Sequence, residues 1–170
     1  MRHVEIHGFI PRADAGQVFA TLADFNRYSA LVDVVRSVDL QRPGTTGTTG
    51  TAFSDWVVEF RGGLLCWREE DWFDEQRLRL DFRQTEGDFD EFFGGWQLEQ
   101  TPDGVRTALI ADFDFGVPSL ASIIEPVAER VLTDVTQLIL TGLFGPEVSF
   151  IDDPLARTAG ISIPTVAALP

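Results

Sequence analysis

Cysteine, histidine and lysine are scarce or missing in this chain of 170 residues. Cys66 is the one cysteine, which excludes an internal disulfide and any metal site built from several cysteines. The two histidines, His3 and His7, are too few for a three-histidine metal cluster. Lysine does not occur, so the 13 basic residues are all arginine. These absences exclude metal centres built from several cysteines or from three histidines.

Basic residues are few relative to acidic ones, and long apolar runs are absent. The chain carries 27 acidic and 13 basic residues, a formal net charge of −14. A surface that binds nucleic acid needs a basic stripe, so nucleic acid is a poor partner. The first residues lack the apolar run of a signal peptide, and no uncharged apolar stretch of ~18 residues could span a membrane. We therefore expect a cytoplasmic protein, whose length fits a single domain.

The first forty residues predict a strand, two short helices and a second strand. Val4 and Ile6 alternate with polar neighbours, as in a half-buried strand. Asp14 is suited to cap a helix, and a second short helix is expected from Asp24 to about Val32. A strand from about Val34 to Leu40 then leads into a glycine-rich and threonine-rich segment, 42–50, that is typical of a loop.

From Thr51 to Phe115 the pattern is that of an antiparallel meander. Apolar and polar residues alternate in segments of ~8–12 residues, separated by turn-forming residues. Leu80 and Phe82 lie on one predicted face, and Arg79 and Arg83 on the other. Alternation of this kind predicts a sheet with one covered face and one face in water.

A long amphipathic helix near the C-terminus is expected to supply that cover. Ser119 is a plausible cap, Pro126 fits the first turn of the longer part, and the helix is expected to end near Gly142. Its predicted apolar stripe contains Ile123, Ile124, Val127, Val131, Val135, Leu138 and Ile139. The predicted fold class is α+β, with about seven antiparallel strands curved around this helix. The domain is assigned to residues 1–145, and residues 146–170 to an extended or disordered tail.

A twisted sheet cannot lie flush along a straight helix, so the space between them is filled by side chains or left as a cavity. Aromatic residues are plentiful near that space, and two interpretations are equally open. They fill the core, or they line a site for a hydrophobic molecule. The aromatic residues concerned are Phe25, Tyr28, Phe53, Trp56, Phe60, Trp67, Trp72, Phe89, Phe92, Phe93 and Trp96.

The order of elements and three sequence stretches resemble the START-like, helix-grip superfamily, and most of all its polyketide cyclase/aromatase and coenzyme Q-binding branch. The stretches are 82–89 with Phe92 and Gly95-Trp96, then 113–119, then 124–130. The resemblance covers about Val4 to Gly145. It implies a helix-grip fold whose internal cavity binds lipids, quinones, hormones or polyketides. Fold alone does not choose among these ligands.

Two functions follow from the resemblance. The first is a cyclase/aromatase that closes and dehydrates a poly-β-ketone, free or delivered by an acyl carrier protein, without metal or redox cofactor. The second is a non-catalytic carrier of a quinone, lipid or aromatic natural product. A role of the ribosome-association branch would require a basic surface, against which the charge of −14 argues. Either a monomer or a homodimer is compatible with the sequence.

The strand from Leu64 to Phe73 is the most informative place for catalytic groups. Both of its faces mix carboxylates with large apolar residues, so either register puts an acid under the helix, where burial raises its pKa. The preferred register turns Cys66, Arg68, Glu70 and Trp72 inward, because Arg68 and Glu70 can pair. The alternative is that Arg68 and Glu70 form a solvated surface pair.

The candidate catalytic residues are Arg68, Glu70 and Tyr28, and the candidate substrate-binding residues are Cys66, Trp67, Trp72, Arg83, Phe89, Phe92 and Trp96. Arg83 is chosen because the resemblance implies a cavity arginine there. Its own strand pattern turns it outward, unless a bulge near Gln84 re-aims the chain. The sequence lacks a tyrosine and an arginine that aromatase/cyclases of the tetracenomycin type use. Val34 and Val35 stand at the first position, and Glu70 or Asp71 at the second.

Overall fold

The computed structural model describes residues 1–42 and 49–151, which form one curved sheet, one long helix, two short helices and a 3-10 turn. The strands are β1 (Arg2–Pro11), β2 (Val35–Gln41), β3 (Gly50–Phe60), β4 (Gly63–Asp74), β5 (Arg79–Gly87), β6 (Glu91–Thr101), β7 (Gly104–Asp114) and β8 (Ser149–Phe150). The helices are α1 (Ala15–Leu22), α2 (Tyr28–Leu31) and α3 (Ala121–Phe144), with a 3-10 turn at Phe25–Arg27.

All eight described strands belong to one antiparallel sheet in the order β2-β3-β4-β5-β6-β7-β1-β8. Consecutive strands from β2 to β7 are neighbours, which confirms the predicted meander. β1 is added to the sheet beside β7 and pairs with it along its whole length, from Arg2 opposite Phe113 to Pro11 opposite Gly104. Because β1 joins the last long strand, the short helices that follow it cross one end of the sheet.

Those short helices begin where the sequence predicts. The Asp14 carboxylate accepts a hydrogen bond from the Gln17 N–H at 3.0 Å and so caps α1. α1 buries Val18, Phe19 and Leu22. The second predicted helix is shorter than expected, since its first half is the 3-10 turn.

α3 lies on the concave face of the sheet, but its orientation differs from the predicted stripe. Ile123 and Leu138 are 57% and 52% exposed, whereas Ala128 and Thr136 are buried. The helix starts at Ala121, so Pro126 lies in its second turn and not in its first. Proline has no N–H to donate to the carbonyl of Ser122, and both residues are exposed, where water can replace that bond.

Two local features curve the sheet around α3. Gly94 faces Ala111 across β6 and β7, and a Cβ there would collide with the Ile110 carbonyl and the Ala111 backbone. Arg68 pairs with Glu86 but Glu69 pairs with Gln84, so Thr85 is the extra residue of a bulge in β5. Close approach at the glycine and extra twist at the bulge curve the strands around the helix.

Two residues beyond the predicted boundary at residue 145 belong to the sheet. Ser149 and Phe150 pair with Phe9 and Gly8 and so add an eighth strand to the expected seven or so. The rest of the predicted tail, residues 152–170, lies outside the described residues, as do residues 43–48 of the predicted loop.

Candidate functional site

A cavity lies between the concave face of the sheet and α3. Its volume is about 920 Å³, including its opening to solvent. Helix α3 contributes small and branched side chains to the wall, among them Ala128, Val135 and Thr136. The sheet contributes most of the aromatic ones. Of the two interpretations that the sequence left open, a filled core or a cavity, the described part of the chain shows the cavity.

The aromatic wall contains several residues proposed from the sequence. Trp67, Phe89, Phe92, Trp96 and Tyr28 all line the cavity. Trp67 stacks on Trp56 with ring centroids 5.6 Å apart and planes only 3° from parallel. Phe89 and Phe92 lie 4.7 Å apart, centroid to centroid. Stacked and tilted rings of this kind form flat apolar surfaces suited to a planar guest.

The predicted register of β4 is wrong. Glu69 and Asp71 point inward and are 3% and 0% exposed, whereas Cys66 is exposed and Arg68, Glu70 and Trp72 lie on the outer face. The physical reason is that a carboxyl can bind a proton and become neutral when it is buried, which an arginine cannot do.

On the outer face of the sheet, Arg68 and Arg83 contact other side chains. The Arg68 guanidinium lies 3.3 Å from an Asp55 carboxylate oxygen and above the Phe53 ring. Arg83 is exposed and lies 5.6 Å from the centre of the Phe93 ring. The bulge near Gln84 exists, but it follows Arg83 and leaves that side chain outside. Cys66, Arg68, Glu70, Trp72 and Arg83 therefore do not line the cavity.

A hydrogen-bonded cluster of Ser54, Glu69 and Asp71 is set into the wall beside the stacked tryptophans. The Ser54 hydroxyl lies 2.7 Å from Asp71 Oδ2 and 3.3 Å from Glu69 Oε1. Trp56 donates its indole N–H to Ser54 Oγ at 2.8 Å, and Trp67 donates to Glu69 Oε2 at 2.8 Å. Ser54 is directly opposite Glu69 in the β3–β4 register. Glu69 lines the cavity, and the buried Asp71 lies next to it on the same face.

Burial dominates the electrostatics of this cluster. It raises the pKa of the Glu69 carboxyl well above its ordinary value, and the neighbouring Asp71 carboxylate raises it further. Burial also raises the pKa of Asp71 to about 7, against the opposing effect of the Ser54 hydrogen bond. The pKa of Asp71 thus lies close to neutral pH, and the pKa of Glu69 is shifted in the same upward direction.

Tyr28 lines the cavity, but its hydroxyl is already engaged. Tyr28 Oη donates to the Leu22 carbonyl at 2.5 Å, across the turn between α1 and α2. Burial raises the pKa of this phenol well above its ordinary value, so it stays protonated. What Tyr28 offers to a bound molecule is its ring, which lies 6.0 Å from the Trp56 ring, centroid to centroid.

Sequence reasoning missed Ser54, Glu69 and Asp71 as site residues. It did establish that one acid or another of β4 would face inward. The missing signal was in β3, where Ala52, Ser54, Trp56 and Val58 share the inner face. A serine among large apolar residues marks the point where the wall has both room and a hydrogen-bond partner for a carboxyl.

Residues 1–42 and 49–151 contain no group of three or more histidine, cysteine or acidic side chains placed to hold a metal ion. Within the same ranges, no helix is both long and apolar enough to cross a membrane.

The sequence matches the family model described as polyketide cyclase/dehydrase and lipid transport over residues 12–138. No curated protein sequence matches it significantly. Solved structures give fold-level likenesses. A protein from Thermus thermophilus is 24% identical with a TM-score of 0.70, covering 84% of this chain and 94% of that one.

Two further structures show the same fold. The Zhui aromatase/cyclase from a Streptomyces species is 22% identical with a TM-score of 0.70, covering 83% of this chain and 93% of its own. A START superfamily protein from Mycobacterium smegmatis is 12% identical with a TM-score of 0.68, covering 83% and 96%. The family model matches most of the chain, and the sheet curves around the long helix α3. This chain therefore belongs to the polyketide cyclase/dehydrase and lipid transport family and has the helix-grip, START-like fold.

Proposed function

We propose that the protein is a cyclase/aromatase that binds a poly-β-ketone in its cavity and directs aldol ring closure and dehydration. The observation that carries this proposal is Glu69, a carboxyl at the cavity surface surrounded by aromatic rings. Burial raises its pKa, and an upward shift of this kind is what suits a carboxyl to general acid–base work. The Zhui protein, which has the same fold, is an aromatase/cyclase.

Aldol closure of a poly-β-ketone requires a cavity that holds the chain in one conformation and one group that transfers protons. A CH₂ between two carbonyls is already fairly acidic, so holding the chain in one folded conformation supplies much of the rate enhancement. Glu69 takes the CH₂ proton, and the electron pair of the C–H bond forms the new C–C bond to the attacked carbonyl. Glu69 returns that proton to the resulting alkoxide. A second C–H proton then passes to the hydroxyl group, which leaves as water, and enolisation of the ring ketones completes the aromatic ring.

The cavity wall selects the fold of the substrate. Trp67, Phe89, Phe92 and Trp96 present flat apolar surfaces on which a planar polyketide can stack. The Trp67 indole N–H is bound to Glu69, so it fixes the carboxyl and is not free for the substrate. Among the described lining residues there is no arginine, which favours an uncharged substrate over an anionic one.

The test is a comparison of cyclised products with and without the protein. A reactive poly-β-ketone is incubated alone, with the wild type and with Glu69→Gln. We expect the wild type to concentrate the products into one ring pattern and Glu69→Gln to lower kcat by about 10²-fold or more. Glu91→Gln removes an exposed carboxyl and serves as the matched control.

Glu70→Gln separates the two registers of β4. Glu70 lies on the outer face, so a loss of activity at this position and not at Glu69 would restore the sequence-based assignment. A product spectrum that the wild type leaves unchanged contradicts the cyclase proposal.

A carrier function is the second candidate, and the composition of the wall favours it. Besides the tryptophan indoles, only Tyr28, Glu69 and Thr136 bring polar groups to the described lining. A binding protein for a quinone, lipid or finished aromatic product needs no more than this. Tight binding of such a molecule, together with an unchanged product spectrum, would support the carrier function and exclude the cyclase function.

A further inference from the structure

We propose that Ser54 relays a proton between Glu69 and Asp71, so that the two carboxyls act as one acid–base unit with a single shared proton. The use of this unit in ring closure rests on the proposed function. The relay itself does not, because it is defined by the hydrogen bonds of the three side chains. Asp71 and Ser54 are positioning residues in this scheme, and Glu69 alone meets the substrate.

The hydroxyl of Ser54 has the right number of bonds for a relay. A serine hydroxyl donates one hydrogen bond and accepts two. Trp56 supplies one of the accepted bonds through its indole N–H, at 2.8 Å. One donated and one accepted bond remain, and the two neighbours within reach are Asp71 Oδ2 at 2.7 Å and Glu69 Oε1 at 3.3 Å. The bonds are complete when one of these two carboxyls is protonated and the other is not.

Two arrangements of the shared proton satisfy the same atoms. In the acid form, Glu69 Oε1–H donates to Ser54 Oγ, and the serine O–H donates to Asp71 Oδ2. In the base form, Asp71 Oδ2–H donates to Ser54 Oγ, and the serine O–H donates to Glu69 Oε1. Moving from one form to the other shifts two protons by one hydrogen bond each and leaves the total charge at −1. Glu69, which faces the cavity, changes from acid to base, and Asp71 changes from base to acid.

Several neighbouring groups act on the protonation of the pair. Asp71 Oδ1 is buried without a hydrogen-bond partner, which destabilises the aspartate anion and favours its protonation. Arg42 acts in the opposite direction and lowers the pKa of Asp71, while Glu70 on the outer face raises it. From the helical side, the Tyr28 phenol faces the pair and stays neutral, with Asp24 as the further charge near it.

The relay explains how the cavity can work without separate acidic and basic side chains. In its base form, Glu69 takes the CH₂ proton and later returns it to the oxygen that leaves as water. Atoms and charge balance over the cycle, because each proton removed from carbon ends on the departing or newly formed oxygen.

The first test needs no substrate. The carboxyl carbons of carbon-13-labelled Asp and Glu are followed by NMR as a function of pH, and their signals are assigned with Glu69→Gln and Asp71→Asn. We expect Glu69 and Asp71 in the wild type to show two common titration steps, each visible at both residues. Ser54→Ala should reduce this coupling, whereas Ser54→Thr should restore it. Unchanged coupling in Ser54→Ala overturns the relay.

The second test uses the pH dependence of turnover. Ser54→Ala and Asp71→Asn should lower kcat by about 10²-fold with little change in KM, and should displace the pH profile of kcat. A merely structural role would lower the amount of folded protein and leave the profile in place. If Ser54→Ala does not fold, Asp71→Asn and Ser54→Thr carry the same comparison.

The relay and the cyclase proposal can fail separately. Coupled titration without any effect on polyketide products supports the relay and removes the cyclase. Cyclisation with independent titration of Glu69 and Asp71 removes the relay and keeps the cyclase.

Discussion

Asp71 should make the folded protein less stable as the pH rises. Its pKa lies at about 7 in the folded state, because burial disfavours the charged form, against an ordinary value of 3.8. The folded state therefore binds a proton that the unfolded chain has already lost between these two values. A group of this kind contributes stability that is complete below the unfolded pKa and is lost as the pH rises through the folded pKa.

The size of the effect follows from the same two values. The interval between 3.8 and about 7 corresponds to roughly 4 kcal/mol of unfolding free energy. Asp71→Asn has no proton to lose, and its amide oxygen can still accept the Ser54 hydroxyl. The variant should therefore gain about 4 kcal/mol on the wild type between about pH 4 and about pH 8. Because Asp71 also raises the pKa of Glu69, the difference between the two proteins reports the titration of the carboxyl pair, and this difference is the quantity to measure.

Urea denaturation at a series of pH values provides the measurement, with each unfolding free energy extrapolated linearly to water. Asp33→Asn changes an exposed aspartate and should follow the wild type at every pH. A difference between Asp71→Asn and the wild type that stays constant over this range would refute the argument, since it would mean that Asp71 ionises as easily in the fold as in the unfolded chain.

Three further substitutions test other parts of the structure. Tyr28→Phe should keep cyclase turnover and cost about 1 kcal/mol in urea denaturation, because the lost hydroxyl serves the Leu22 carbonyl; a loss of turnover in a folded variant would make that hydroxyl catalytic. Ala128→Phe should fill the cavity from α3 and abolish ligand binding in calorimetry while the melting temperature stays near that of the wild type. Gly94→Ala should destabilise by about 2 kcal/mol or more, because its Cβ would meet the Ile110 carbonyl; an unchanged melting temperature would contradict the tight approach of β6 and β7.

Most of the fold could be predicted because each element follows its own local pattern. Alternation in β5 turns Leu80 and Phe82 inward, and both are buried. The cap at Asp14 and the long C-terminal helix follow from short-range signals of the same kind. Residue 149 was not expected to be in a strand, because a two-residue strand has no period and forms only where β1 offers its edge.

The orientation of β4 could not be predicted in this way. Both faces of the strand mix acids with large apolar residues, so local pattern does not distinguish them. What decides is a contact with another strand, where Ser54 stands opposite Glu69, together with the ability of a carboxyl to become neutral. The same limit applies to α3, whose inward face includes Ala128 and Thr136 because it borders a cavity and not a filled core.

The positions of the four tryptophans make the protein its own optical sensor. Trp56, Trp67 and Trp96 border the cavity, whereas Trp72 lies on the opposite side of the sheet. A conjugated guest stacked on the first three absorbs where indole emits and takes up their excitation energy, and it quenches them more than Trp72, which lies farther away. Occupancy can therefore be read from the native chain without a label.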